Sequence, residues 1–147
     1  MDFEVRPVTK LLLVDDDVQQ LKLKEIIMKR SGFTVLTASS PLDAISIMAD
    51  TAAGEVDVAI FDYNMPDMNG CVLAECLRCR HPDLKIILHS GAVDIPDGEL
   101  DSVDVWIPKM EGVRRLLEQV SRFAGPRTSS SSRLTVDEKC VNSSRCF

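Results

Sequence analysis

The stretch "VAIFDYNMPDMNG", residues 58–70, decides how the chain is read. Val58, Ala59, Ile60 and Phe61 run without a polar interruption and end on Asp62, after which Asn64, Pro66, Asn69 and Gly70 mark a turn. An uninterrupted apolar run suits a strand covered on both faces. Asp62 is therefore either a turn cap or a carboxylate mounted at the tip of a rigid, buried strand. The rest of the chain bears on that choice.

The same pattern recurs along the sequence. Apolar runs "KLLLV" (10–14), "TVLTA" (34–38), "VDVAIF" (56–61), "KIILHS" (85–90) and "DVWI" (104–107) alternate with amphipathic segments. The last segment carries Val113, Leu116, Leu117, Val120, Phe123 and Ala124 on one helical stripe. An earlier one places Leu42, Ile45, Met48 and Ala49 on one side, with Pro41 in the first turn. Strand and helix in alternation predict an α/β fold, a doubly wound parallel sheet with helices on both faces. Pro108 cannot donate to a ladder, so the fifth run is expected at a sheet edge.

Length and charge narrow the function. A chain of 147 residues suits one domain with an extension. The net charge of −6 argues against nucleic-acid or anionic-membrane partners, which need a basic surface. Residues 125–147 carry Arg127, Arg133, Lys139 and Arg145 against Asp137 and Glu138, so the negative charge lies in the first 124 residues. No apolar run approaches the roughly 20 residues of a membrane span, and "MDFEVRPVTK" lacks the order of a signal peptide. A cytoplasmic protein is expected. Residues 8–124 are read as the domain, and the serine-rich 125–147 as a flexible tail too short for an output domain. Cys71, Cys76 and Cys79 match an iron–sulfur ligand spacing, but on a helix they fan across roughly 140° and are read as packing residues.

In a doubly wound sheet the strand C-termini share one edge, where ligands bind. There the first strand delivers Asp15 and Asp16, the third Asp62, the fourth Ser90 followed by Gly91 and Ala92, and the fifth Lys109. Asp16 or Asp17 also suits the N-cap of the first helix, Asp17 being favoured. His81, before Pro82, and His89, in a strand, are read as structural.

Residues 8–124 resemble the receiver domain of bacterial two-component response regulators, CheY-like in fold. "LLLVDDD" is similar to that family's acidic pair and "FDYNMPDMNG" to its phosphoacceptor segment. "IILHSGA" resembles its switch-hydroxyl segment, and "VWIPK" its aromatic-x-x-Lys close. The resemblance implies a five-stranded sheet of order 2-1-3-4-5. It makes Asp62 the phosphorylated residue, with Mg²⁺ held by Asp15, Asp16, Asp62 and the backbone carbonyl of Asn64. Ser90 becomes the switch hydroxyl, Lys109 the ammonium on the phosphoryl group, and Trp106 the aromatic switch. A sensor histidine kinase or phosphotransfer protein would be the donor, an unknown protein the downstream partner, and the chain a stand-alone receiver, monomeric or weakly dimeric. It would be a signalling switch and not a metabolic enzyme. The physics agrees with these roles, because three neighbouring carboxylates resist full ionisation. A hard, oxygen-seeking cation such as Mg²⁺ relieves them, and phosphoryl transfer needs positioning and positive charge more than covalent help.

Three departures touch the surface through which that family signals, one being Trp106 in place of the usual smaller tyrosine or phenylalanine. Lys109 is followed by Met110 where the family has proline, with Pro108 before it instead. Either a non-proline cis bond, costing roughly 3–4 kcal/mol, or a rebuilt loop follows. The segment "GAVDIPDGELDSVDV" (91–105) holds a proline and two glycines, so a short or loose fourth helix is expected. Two other functions compete. A haloacid-dehalogenase-type phosphatase would use Asp15 as nucleophile and Asp17 as acid/base, but it needs a further acidic strand end, and within residues 8–124 only Glu111 and Glu118, on a helix, follow Lys109. A phosphorylation-independent, receiver-like scaffold is the other.

Overall fold

Residues 11–14 and 58–61 are too apolar to face water on either side, and they lie in two of the three inner strands of the sheet. In the computed structural model, residues 9–91 and 94–124 are described, which leaves the serine-rich tail, Val8 and Ala92 outside the described residues. The order is β1 (Lys10–Val14), α1 (Val18–Arg30), β2 (Thr34–Ala38), α2 (Pro41–Ala49), β3 (Val58–Phe61), α3 (Gly70–Arg80), β4 (Lys85–Ser90), a 3-10 segment (Asp97–Ser102), β5 (Val105–Pro108), a 3-10 turn (Lys109–Glu111) and α4 (Gly112–Phe123). All strand pairs are parallel. The five-stranded sheet runs β2-β1-β3-β4-β5, as the resemblance implied. Pro108 closes β5 at the sheet edge, where its missing N–H costs no ladder bond.

Alternate residues of each strand feed two cores. Leu12, Val14, Ala59, Phe61, Ile86 and Leu88 pack against α2 and α3 through Ala44, Met48, Leu73 and Leu77. Leu11, Leu13, Ile60, Ile87 and Ile107 pack against α1 and α4 through Leu21, Met28, Leu116 and Val120. Each fully buried Leu, Ile or Phe contributes about 1.5–3 kcal/mol of transfer free energy. Coverage on both faces is why the central strands show no polar alternation.

Local departures have side-chain causes. β3 begins at Val58, two residues later than the run "VDVAIF", because the Asp57 carboxylate accepts from the Lys10 backbone N–H at 2.9 Å beside the ladder start. β5 is displaced one residue from "DVWI", since the Asp104 side chain accepts from Ile86 N–H at 2.8 Å. The buried side of α2 is also corrected: Pro41, Ala44 and Met48 are buried, whereas Leu42 is 59% exposed and Ala49 is exposed. The small Ala44 lets the helix sit close to the sheet, which turns Leu42 outward. Among the described residues, no helix is long and apolar enough to cross a membrane.

Candidate functional site

β1 ends in a carboxylate whose helix is capped by a different one. Asp17 accepts from Gln19 N–H and Gln20 N–H and so N-caps α1, satisfying donors the helix cannot. That frees Asp15 and Asp16 for the strand tip. Asp15 is buried, 1% exposed, and its Oδ1 accepts from Asp17 N–H at 2.9 Å.

β3 carries Asp62 to the same edge, with its N–H donated to the Val14 carbonyl at 3.2 Å. The loop after it folds back at once. Gly70 N–H donates to the Tyr63 carbonyl at 3.0 Å, and the Asn69 side chain caps α3 by accepting from Cys71 N–H and Val72 N–H. Gly70 lies so close that a Cβ on it would stand 2.5 Å from the Asp62 carbonyl oxygen, so only glycine fits. Asn64 is exposed in this loop, beside the acidic tip.

Carboxylate oxygens of Asp15, Asp16 and Asp62 all lie within 4.8 Å of one another. Among the described residues, no other set of three acidic, histidine or cysteine side chains is so arranged, and Cys71, Cys76 and Cys79 form no such cluster. Two ammonium groups face the acidic group. Lys109 Nζ lies 3.4 Å from Asp62 Oδ2 and 3.6 Å from Asp15 Oδ2, and Lys24 Nζ lies 3.4 Å from Asp15 Oδ2. Burial pushes the Asp62 carboxyl above the ordinary carboxylate range; Asp15 pushes the same way, while Lys109 and Lys24 pull it down. A hard cation with oxygen ligands fits this donor set.

Ser90, fully buried, ends β4 between β3 and β5, whose next residues are Asp62 and Lys109. Trp106, with Leu100 and Val103, packs half-buried on the α3 side against the cluster that contains Ile95, and its indole N–H is buried without a partner. The loop after Lys109 is rebuilt without strain of the isomer kind: no cis peptide occurs among the described residues. A 3-10 turn spans Lys109–Glu111, and Gly112, at φ 87°, redirects the chain into α4. The expected short fourth helix is a 3-10 segment, Asp97–Ser102, with no buried residue.

Lys24 was not anticipated. Its signal lay in α1, where Leu21, Lys24 and Met28 share the buried stripe at i, i+3 and i+7, so a charge sits on the face that should be apolar. Both histidines are buried. His81 is buried with Nε2 3.1 Å from the Met48 carbonyl, and His89 is buried in β4 with neither ring nitrogen partnered.

Comparison with known proteins agrees with this architecture. The family model of the response regulator receiver domain matches residues 11–100. The chain is 40% identical over 83 residues to the sensor kinase CckA of Brucella abortus, covering 56% of this chain and 9% of that protein. It is 36% identical over 89 residues to the photosynthetic apparatus regulatory protein RegA of Cereibacter sphaeroides, covering 60% and 47%. The chain thus spans less than half the length of these relatives. Among solved structures, a CheY-like receiver domain protein from Methanospirillum hungatei superposes with a TM-score of 0.72 at 26% identity, covering 79% of this chain and 93% of that one. TrrA of Thermotoga maritima, solved in complex with Mg(2+)-BeF, gives 0.71 at 24% identity, covering 79% and 99%, and supports the fold alone. The chain belongs to the response regulator receiver domain family.

Proposed function

We propose that this receiver accepts a phosphoryl group on Asp62, from the phosphohistidine of a sensor kinase or phosphotransfer protein or from a small acyl phosphate, and changes shape to signal to a partner. The observation that supports this reading is the meeting of Asp15, Asp16 and Asp62 within 4.8 Å, with the Lys109 ammonium 3.4 Å from Asp62. Asp15, Asp16, Asp62 and the backbone carbonyl of Asn64 would hold Mg²⁺, which when bound supplies positive charge to the phosphoryl oxygens.

The protein's own groups account for the rest of the reaction. An Asp62 oxygen attacks phosphorus, the bond from phosphorus to the donor nitrogen or acyl oxygen breaks, and the donor leaves with that bonding pair. Lys109 balances charge on the transferred group. The Ser90 hydroxyl then donates to a phosphoryl oxygen, a bond present only in the modified state, and Trp106 repacks against the space Ser90 leaves. Catalysis would be confined to this self-modification and its slow hydrolysis. The phosphatase alternative loses support, because Asp17 caps α1 and, among the described residues, only a 3-10 turn and a helix follow Pro108.

The test is incubation with Mg²⁺ and acetyl phosphate followed by intact mass. One added phosphate, absent in Asp62→Asn, is the expected result, and an unmodified wild-type chain would count against the reading. A phosphorylation-independent scaffold is the second reading, favoured by the departures beside Lys109. Unchanged partner binding by Asp62→Asn, alongside lost Mg²⁺ affinity, would select it.

A further inference from the structure

Lysine is among the residues least often buried, yet Lys24 is 3% exposed. Its stem lies on the α1 stripe between Leu21 and Met28, and its ammonium reaches Asp15 Oδ2 at 3.4 Å. Asp15 is then fully committed: Oδ1 accepts from Asp17 N–H, and Oδ2 faces both Lys24 and Lys109. When these groups are ionised, three carboxylates face two ammonium groups, so a single net negative charge remains. The neighbouring His89, with neither ring nitrogen partnered, offers Lys24 no anion.

From this geometry we infer that Lys24 is an internal counter-ion that competes with a divalent cation for Asp15 and thereby sets how weakly the pocket holds metal. The inference rests on the metal-binding reading above. A dication entering the acidic group must share Asp15 with an ammonium that cannot withdraw into water, because its stem is buried on the face of α1 whose Leu21 and Met28 pack on the sheet. Lys109 differs, being anchored on a turn with 26% of its side chain exposed, so it is able to swing aside. Lys24 is therefore a positioning residue that tunes affinity and does not itself react. Coulomb repulsion between a fixed ammonium and a dication a few ångströms away is large enough to govern the binding constant.

The experiment is a Mg²⁺ titration of the full chain, read by calorimetry and by fluorescence of Trp106, the single tryptophan. Lys24→Met keeps the length and loses the charge; Lys24→Gln is the second neutral variant, and Lys24→Arg keeps the charge. Folding of each is confirmed by circular dichroism. The neutral variants should bind Mg²⁺ about tenfold more tightly than wild type, with Lys24→Arg close to wild type. Equal or weaker binding by folded neutral variants, with wild-type binding intact and lost in Asp62→Asn, overturns the inference alone. Absence of Mg²⁺ binding in every variant overturns the metal reading beneath it as well.

Discussion

The Tyr63 phenol donates a 2.7 Å hydrogen bond to Glu99 Oε1, joining the residue after Asp62 to the 3-10 segment Asp97–Ser102. This contact spans 36 residues of sequence and is a direct polar link between the loop after the acidic tip and the face that carries Trp106. The hydrogen bond to Glu99, followed by burial, pushes the phenol up to about 12. Tyr63 is the single tyrosine, so tyrosinate absorbance reports it without overlap. Glu99→Gln should return the midpoint towards the ordinary value of 10.0. Identical midpoints in both proteins, with dichroism showing both folded, would remove this link.

Gly70→Ala should disrupt the site from behind. The added methyl would stand 2.5 Å from the Asp62 carbonyl oxygen and 2.8 Å from Leu88 Cδ1; the first is backbone and cannot rotate away. Overpacking of this kind costs about 1–3 kcal/mol. The shift also displaces the strand tip that presents Asp62. Urea denaturation should show the loss of stability, and acetyl phosphate labelling should slow by more than the unfolded fraction explains. A variant as stable and as readily labelled as wild type would mean the loop relaxes freely.

The sheet was legible because strands buried on both faces write themselves as largely unbroken apolar runs, and four of the five runs lead into a polar residue at the same edge. The same property marks Asp15, Asp16, Asp62, Ser90 and Lys109 as candidates from the sequence alone. Side-chain interactions with distant backbone were not legible. Asp57 and Asp104 move the ends of β3 and β5 by accepting from Lys10 and Ile86, partners far away in sequence. The Leu42 error arose because α2 is short, and two apolar stripes compete on its surface. Lys24 was hidden for the opposite reason: its position was visible, but whether a charge on a buried stripe finds a partner depends on how α1 sits over β1.

Asp104 should matter more than its exposed position suggests. One carboxylate oxygen accepts from Arg78 Nη2 at 2.7 Å and from Ile86 N–H at 2.8 Å, while Arg78 Nε donates to the Ser102 carbonyl at 3.1 Å. These bonds tie α3, the start of β5 and the ladder of β4. The ion pair itself is partly exposed and contributes little, but the backbone N–H loses its acceptor when the carboxylate goes. Asp104→Ala should therefore cost about 1–2 kcal/mol in urea denaturation. Asp104→Asn, which keeps the acceptor, should cost less. Equal losses in the two variants would shift the weight back to charge.

His89 sets an acid limit on stability. Burial, followed by the nearby positive charges of Lys24 from α1 and Lys109 after β5, holds its imidazole down to about 4, against 6.5 when unfolded, with Asp15 opposing them. Between those values the unfolded chain binds a proton that the folded chain refuses. Stability is then complete above about 6.5 and is lost as pH falls towards about 4. The loss is up to about 3 kcal/mol at 1.36 kcal/mol per pK unit. Asp62 has the opposite sign, since its raised value makes the folded state favour the proton. For that reason the comparison is with His89→Val, which leaves Asp62 in place. Urea midpoints measured down the acid range should fall less steeply in His89→Val than in wild type, whatever their offset at neutral pH. Parallel slopes would show that the buried imidazole accepts its proton in the folded protein as readily as in the unfolded chain.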